Sequence, residues 1–340
     1  MSEDYYLQPF NNYLDKKGNV KFRNVNILDV LDNNSFQIKK TLNIVEKPEN
    51  YHLRSIFSKH PNLIDRLKKI NNPLIHKNFF FNQKPIIMGI LNITKDSFYD
   101  GGRYFDLRNA LSRAEDLLKE GADIIDVGGE STRPQATVID VEEEIKRIKP
   151  VIKELSKNNI LISCDTRNSS TMQVALDLGA KIINDVSGLN YDKNTLKLLQ
   201  SYDCIYVLVH SRETPQTMQN NPIYNNVVCD IYNFFKNKLA TLKSMNISEE
   251  RIILDPGIGF AKTLNHNYDV LRNLGIFLDL GHPLMIGVSR KSLIKKLTKF
   301  DTLVPSVVLA IDAYTKGAKI LRVHDVKETK EAIDIYKKAN

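Results

Sequence analysis

Residues 85–129 read PIIMGILNITKDSFYDGGRYFDLRNALSRAEDLLKEGADIIDVGG, and the fold follows from how that stretch is punctuated. PIIMGILNIT (85–94) is a nearly continuous apolar run. LRNALSRAEDLLKEG (107–121) spaces its Leu and Ala at three- and four-residue intervals with charges opposite, and DIIDVGG (123–129) is apolar again. An unalternating run is what a strand covered on both faces requires, and the spacing between the runs is that of an amphipathic helix. The unit recurs. Further runs are ILISCDT (160–166), KIINDVSG (181–188), CIYVLVH (204–210), RIILDPG (251–257), PLMIGVSR (283–290) and KILRVHD (319–325), separated by segments such as VEEEIKRIKPVIKEL (141–155).

Eight strand-helix units within residues 85–340 predict an α/β fold, the (β/α)8 or TIM barrel. A doubly wound open sheet usually has fewer strands, and no G-x-G-x-x-G follows the first strand here. Residues 1–84 form an N-terminal extension whose function is unreadable. In it VKFRNVNILDV (20–30) and SFQIKKTLNI (35–44) read as strands, PNLIDRLKKI (61–70) as a short helix and PLIHKNFFFNQKP (73–85) as a linker. Such a length is marginal for independent folding, so the extension is expected to pack on the barrel.

Composition bounds the function classes. The 340 residues are 42% hydrophobic and 26% charged with 15 Gly and 12 Pro, which supports a substantial core and excludes disordered and collagen-like chains. No stretch approaches the roughly 18 apolar residues of a membrane helix, and MSEDYYLQPF does not open as a secretory signal, so no membrane partner is expected. Cys164, Cys204 and Cys229 are scattered and odd in number, which suggests neither a disulfide framework nor a zinc site and points to the cytoplasm. Cys164, inside an apolar run, reads as a packing residue. The net charge is +8, with 14 basic against 8 acidic residues in positions 1–84 and 34 against 32 thereafter. The basic residues are dispersed and carry no nucleic-acid motif, so no nucleic-acid partner is expected.

Polar groups sit at the C-terminal edge of each apolar run: Asn92, Glu130-Ser131-Thr132-Arg133, Asp165, Asn184 with Asp185, His210, Asp255, Ser289-Arg290-Lys291, and Arg322 with His324 and Asp325. A barrel brings all eight edges to one face. Singly, each has a structural reading: Asp165 as a helix cap, His210 or His324 as a satisfied core histidine. Eight at one edge favour a pocket. Asp165, Asp255 and Asn184 suit the edge of a planar, amino-bearing heterocycle, and Lys291 suits a ring carbonyl. Arg133, Arg322 and His324 suit an anion such as phosphate. No Walker loop, H-E-x-x-H or G-x-S-x-G is present.

With these residues in place, the chain resembles the dihydropteroate synthases. MGILNITKDSFYDGG, DIIDVGGESTRP, EEEIKRIKPVI, the DT of SCDT, KIINDVSG, the TMQ after His210, ILDPGIGF, LNHNY, IGVSRKS and ILRVHDVKET match that family in order over about residues 85–335. The resemblance implies a transferase of folate biosynthesis. Such an enzyme condenses 6-hydroxymethyl-7,8-dihydropterin diphosphate with p-aminobenzoate to dihydropteroate and pyrophosphate, assisted by Mg2+, and is usually a homodimer. Carried over by position, Asp165, Asn184, Asp255, Lys291 and Arg322 hold the pterin. Asn92, Thr132, Arg133, Arg322 and His324 hold the diphosphate, with Asn92 the contact to Mg2+. Thr132, Pro134, Phe260 and Ser289 shape the aminobenzoate site, where sulfonamides compete. Asp165, Lys291, Arg322 and His324 form the catalytic set. Lys95 stands where the family usually has Pro, Val209 where Met is common and Ala261 where Gly is usual, and Pro305 replaces part of a Gly-Thr or Gly-Ser pair. Two alternatives share the pterin barrel: a methyltetrahydrofolate-binding methyltransferase, which holds no diphosphate, and a catalytically silent relative.

Overall fold

The computed structural model describes residues 5–31, 35–44, 62–75, 85–93, 103–130, 139–211, 222–296, 298–299 and 301–340. Eight parallel strands close into a barrel: β4 (Ile86–Asn92), β5 (Ile124–Gly128), β6 (Ile162–Asp165), β7 (Ile182–Asp185), β8 (Ile205–Val209), β9 (Ile252–Asp255), β10 (Leu284–Ile286) and β11 (Ala318–Val323). Neighbours pair in sequence order, and β11 returns to β4 through Ile320↔Ile86 and Val323↔Gly89. All eight expected strands are present, seven trimmed at their ends and β11 starting one residue earlier than its run and ending two earlier. The barrel expectation therefore holds.

Strand periodicity explains what fills the barrel. Ile86, Met88, Ile124, Ile182, Ile205, Val207, Ile253, Met285 and Ile320 form one apolar cluster inside it, while residues at the alternate positions, such as Ile125, Ile183, Leu254 and Leu321, join the larger cluster under the helices. Two residues beyond an inward Ile the next inward side chain lies at the rim. Ile124 is followed in that way by Asp126, Ile182 by Asn184, Ile253 by Asp255 and Ile320 by Arg322.

The helices lie outside. LRNALSRAEDLLKEG falls in α2 (Arg103–Glu120), and VEEEIKRIKPVIKEL in α3 (Val141–Ser156), capped by Asp140, whose side chain accepts from the Glu142 amide. Before them comes α1 (Leu63–Asn71), and after them α4 (Ser169–Asp177), α5 (Thr195–Ser201), α6 (Val227–Ser244), α7 (Leu264–Arg272), α8 (Ser292–Lys295), α9 (Leu303–Thr315) and α10 (Val326–Ala339). Pro305 falls in the first turn of α9, where its missing N–H costs no helical bond. Among the described residues no helix is long and apolar enough to cross a membrane.

The extension forms an antiparallel sheet, β1 (Tyr6–Leu14), β2 (Val20–Val30) and β3 (Phe36–Asn43), followed by α1. The strand β1 was not anticipated: Pro9, Asn11 and Asn12 lower its strand propensity, and pairing to β2 overrides them. Leu7, Val25, Leu28 and Leu63 belong to the same buried cluster as the barrel's outer layer. The Arg66 Nε donates to Asp279 Oδ1 at 2.8 Å, and Tyr6 meets Tyr232 edge-on at 5.0 Å. The sheet sits at the end of the barrel where strands begin. Pro9 touches Gly275, ahead of β10, and Tyr314 Oη donates to the Gly18 carbonyl at 2.8 Å, ahead of β11.

Candidate active site

Register assembles the site. Asn92 aligns with Gly128, Gly128 with Asp165 and Asp165 with Asn184, so four strands place their last inward residues at one height. On the far side Val209 pairs with Asp255. The resulting cleft is lined by Asp165, Asn184, Val186, Val209, Asp255, Phe260, Gly287, Lys291 and Arg322. All five residues assigned to the pterin on resemblance are brought together there.

Arg322 spans the mouth. Its Nε donates to Asp126 Oδ2 and its Nη2 to Asp165 Oδ2, both at 2.6 Å. Asn184 Nδ2 donates to the same Asp126 oxygen at 3.3 Å. Two acceptors remain: Asp126 Oδ1 and Asn184 Oδ1 are buried with no protein partner. An unpaired buried acceptor costs about 1–3 kcal/mol, so these atoms favour a ligand that brings N–H groups. Burial raises the Asp165 carboxyl to about 7, against the pull of Arg322 and with the help of Asp126. Burial likewise raises Asp255, opposed by Lys291 and by the Gly257 amide, which donates to its Oδ1 at 2.7 Å. Lys291 is pushed down to about 8 by burial, with Asp255 pulling the other way. Its Nζ donates to the Ile258 carbonyl and lies 4.5 Å from the centre of the Phe260 ring.

The anion side is partly described. His324 is half-buried; its amide donates to Ser289 Oγ at 3.2 Å, and its Nδ1 lies 3.1 Å from the same atom, so Ser289 orients the imidazole. Thr132, Arg133 and Pro134 lie outside the described residues, as does Lys95. The base of their loop is anchored within them. Arg147 Nη1 donates to the Gly129 carbonyl at 3.0 Å, and Arg167 grips the Glu130 carboxylate through Nε and Nη2 at 3.1 and 2.9 Å.

Several rim residues do other work. His210 is buried beside Phe234, and its Nδ1 meets Lys262 Nζ at 2.9 Å, so the core-histidine reading is the right one. Asp185, one residue past inward Asn184, faces outward and accepts from Tyr206 Oη at 2.6 Å. Arg290 pairs with Asp325. Asp165 does not cap α4, whose N-cap residue is Asn168. Cys164 is buried, as its packing role requires.

Two contributors escaped the sequence reading. Asp126 was passed over because it lies inside a run, two residues short of its edge; counting inward positions from Ile124 finds it. Lys262 is buried, donating to the carbonyls of Gly257 and Phe260 at 2.9 and 3.0 Å, and so braces the loop carrying Phe260. Nothing local marks it, since its partners are two backbone carbonyls and His210, 52 positions away in sequence.

The donor set suits one cation type. Among the described residues no three His, Cys, Asp or Glu group as a metal cage. Asn92 Oδ1 hangs over Gly128, where a Cβ would lie 3.4 Å from it and 3.5 Å from the Cβ of Asp165. A lone hard oxygen at the barrel rim is compatible with Mg2+, which keeps most of its waters and needs few protein ligands.

The comparisons agree with this geometry. The model of the pterin binding enzyme family matches residues 88–324. A dihydropteroate synthase of Neisseria meningitidis serogroup C is 46% identical over 261 residues, which is 74% of this chain and 92% of its own. Two solved Xanthomonas albilineans dihydropteroate synthases, one with 4-aminobenzoic acid and one in complex with 7,8-dihydropteroate, align with TM-scores of 0.71 and 0.69 at 35% and 32% identity. They cover 76% and 77% of this chain and 94% and 95% of theirs.

Proposed function

The chain belongs to the pterin-binding enzyme family, among the dihydropteroate synthases, and from that premise we propose how its residues share the reaction. It joins 6-hydroxymethyl-7,8-dihydropterin diphosphate to p-aminobenzoate, giving 7,8-dihydropteroate and pyrophosphate. The observation that carries the assignment of roles is the pair of orphaned acceptors, Asp126 Oδ1 and Asn184 Oδ1, beside two carboxyls that burial raises.

Asp126, Asn184 and Asp255 accept from the pterin's ring and amino N–H groups, and Lys291 donates to its carbonyl. Breaking the carbon-oxygen bond leaves positive charge spread into the ring. The buried Asp165 carboxylate is placed to stabilise it. Negative charge gathers on the departing diphosphate, which Arg322 and His324 hold together with Thr132 and Arg133. Arg322 is already fixed by Asp126 and Asp165, so little reorganisation accompanies the reaction. Phe260, Ser289, Thr132 and Pro134 bound the aminobenzoate site. The arylamine is a competent nucleophile, so holding it in line substitutes for an activating base.

Asn92 would be the protein ligand to Mg2+, and such an ion would supply neutralisation of leaving-group charge. The buried free thiols Cys164, Cys204 and Cys229 suit the reducing cytoplasm. Homodimerisation is supported by α9, which exposes Val304 and Val308 one turn apart, with Ile335 of α10 also exposed.

The test is pyrophosphate release by the full chain. Turnover that requires both substrates and is abolished by a chelator and restored by Mg2+ is expected. Pterin binding without release at saturating substrates overturns the assignment, and sedimentation of a monomer at working concentrations overturns the dimer.

A further inference from the structure

We propose that the cleft between the N-terminal sheet and the floor of the barrel is a second binding site, for a phosphate monoester carrying an aromatic or similarly apolar body. This cleft encloses about 750 Å³, within the range of small-molecule sites. It lies at the opposite end from the pterin pocket: Pro85, Pro283 and Ala318 in its wall stand where β4, β10 and β11 begin, whereas the pocket residues stand where strands end. Lys319 and Arg322 share β11 and are separated by three residues, roughly 10 Å along the strand.

Charge defines the ligand. Lys16, Lys17, Lys21 and Lys319 line the cleft against a single carboxylate, Asp15. That carboxylate is spent on its own turn, accepting from the amides of Lys17 and Asn19 at 2.8 and 2.9 Å. Lys21 donates to the Asn71 carbonyl and Lys319 to Asn19 Oδ1, so their partners are neutral oxygens, and among the described residues neither has an ion pair. Burial, then the charge of Lys21, hold the Lys319 ammonium down to about 8, with Asp15 pulling the other way and Lys337 adding a smaller push down. An entering dianion relieves that repulsion. No arginine lines the described wall, so the fork that grips a planar carboxylate is absent, whereas ammonium groups serve phosphate as point charges.

The rest of the described wall mixes Asn19, Asn71 and Asn72 with apolar side chains. Phe22, Leu278 and Tyr314 back the cleft and are almost wholly buried, so the apolar surface open to a ring comes from the half-buried Val20, Pro73, Leu74 and Ile75. A ligand there touches both the extension and the barrel, which gives the extension a role in binding that the barrel alone lacks.

The experiment is isothermal titration of the full-length chain, its barrel-mouth site saturated with dihydropteroate. The probes are phenyl phosphate, inorganic phosphate and benzoate. Phenyl phosphate is expected to bind more tightly than either of the others. Lys21→Gln/Lys319→Gln should weaken it roughly tenfold or more, as expected when charge-assisted bonds are lost, with pyrophosphate release unchanged. Should that pair fail to fold, Lys16→Glu/Lys17→Glu at the exposed rim makes the same test without touching buried groups. Unchanged phenyl phosphate affinity in the folded variants, equal affinity for inorganic phosphate, tighter binding of benzoate, or no binding of phenyl phosphate at millimolar concentration overturns the proposal.

Discussion

Arg322 and Asp126 form a buried ion pair across the barrel mouth, with Nε 2.6 Å from Oδ2, and Asp126 is fully buried beneath it. The arginine is thus oriented at the barrel mouth by protein contacts alone, and the carboxylate's second oxygen is left without a hydrogen-bond partner among the described residues.

Asp126→Asn should disturb both halves of that arrangement. It replaces the ion pair with a weaker bond from the guanidinium to a neutral amide oxygen and turns the second acceptor into a donor, a loss of about 1.5–3 kcal/mol, so kcat/KM should fall about tenfold to a hundredfold. Pyrophosphate release measures it; wild-type kinetics would show that Asp165 alone orients Arg322.

Asp255→Ala should act on binding. Truncation removes the acceptor and leaves ring donors unpaired in a dry pocket, at about 1–3 kcal/mol per lost partner. Pterin affinity by calorimetry should weaken by one to two orders of magnitude, and unaltered affinity would remove Asp255 from the pocket.

The pH profile of kcat/KM should be a narrow bell. Burial raises Asp165 to about 7, so its carboxylate form is lost as pH falls through that value. Burial lowers Lys291 to about 8, so its ammonium is lost as pH rises through it. The optimum lies between, with both limbs belonging to the coupled site. Asp165→Asn should flatten the acid limb of its residual activity, and a wild-type profile level across both values would refute the assignment.

Two neighbouring positions should respond in opposite directions. Gly257 has φ +67°, and a Cβ there would lie 2.1 Å from the His210 carbonyl oxygen, so Gly257→Ala should cost at least about 2 kcal/mol. Ala261 has φ +47°, held by Tyr224 Oη on its carbonyl at 2.8 Å. A left-handed alanine costs roughly 1–2 kcal/mol, partly offset in glycine by unfolded-chain entropy, so Ala261→Gly should raise Tm by about 1–3 °C. Calorimetric melting of the two variants decides both.

Sulfonamides should inhibit competitively with p-aminobenzoate if, as proposed, Phe260 and Ser289 bound a site for an anilinic ring. Inhibition that does not diminish as aminobenzoate rises would place the drug elsewhere.

Much of this was legible in the residues. The eight apolar runs located every barrel strand, because burial on both faces writes itself into a run of five or six side chains. The rim carboxylates and Arg322 were legible for the same reason, as polar groups closing those runs. Asp126 and β1 were not. The one is disguised as part of an apolar run, and the other is a poor strand former recruited by its partner β2.

Sequence by itself determined the barrel's strand count, the helical spacing and the chemistry available at the strand ends, all of which are local properties of the chain. Only the tertiary structure decided that Arg322 would meet Asp126 and Asp165 rather than solvent, that His210 would turn to Lys262, and that a lysine-lined cleft would open beneath the barrel. Those outcomes depend on register and closure between segments up to 196 positions apart, and no periodicity encodes which distant partner a side chain will find.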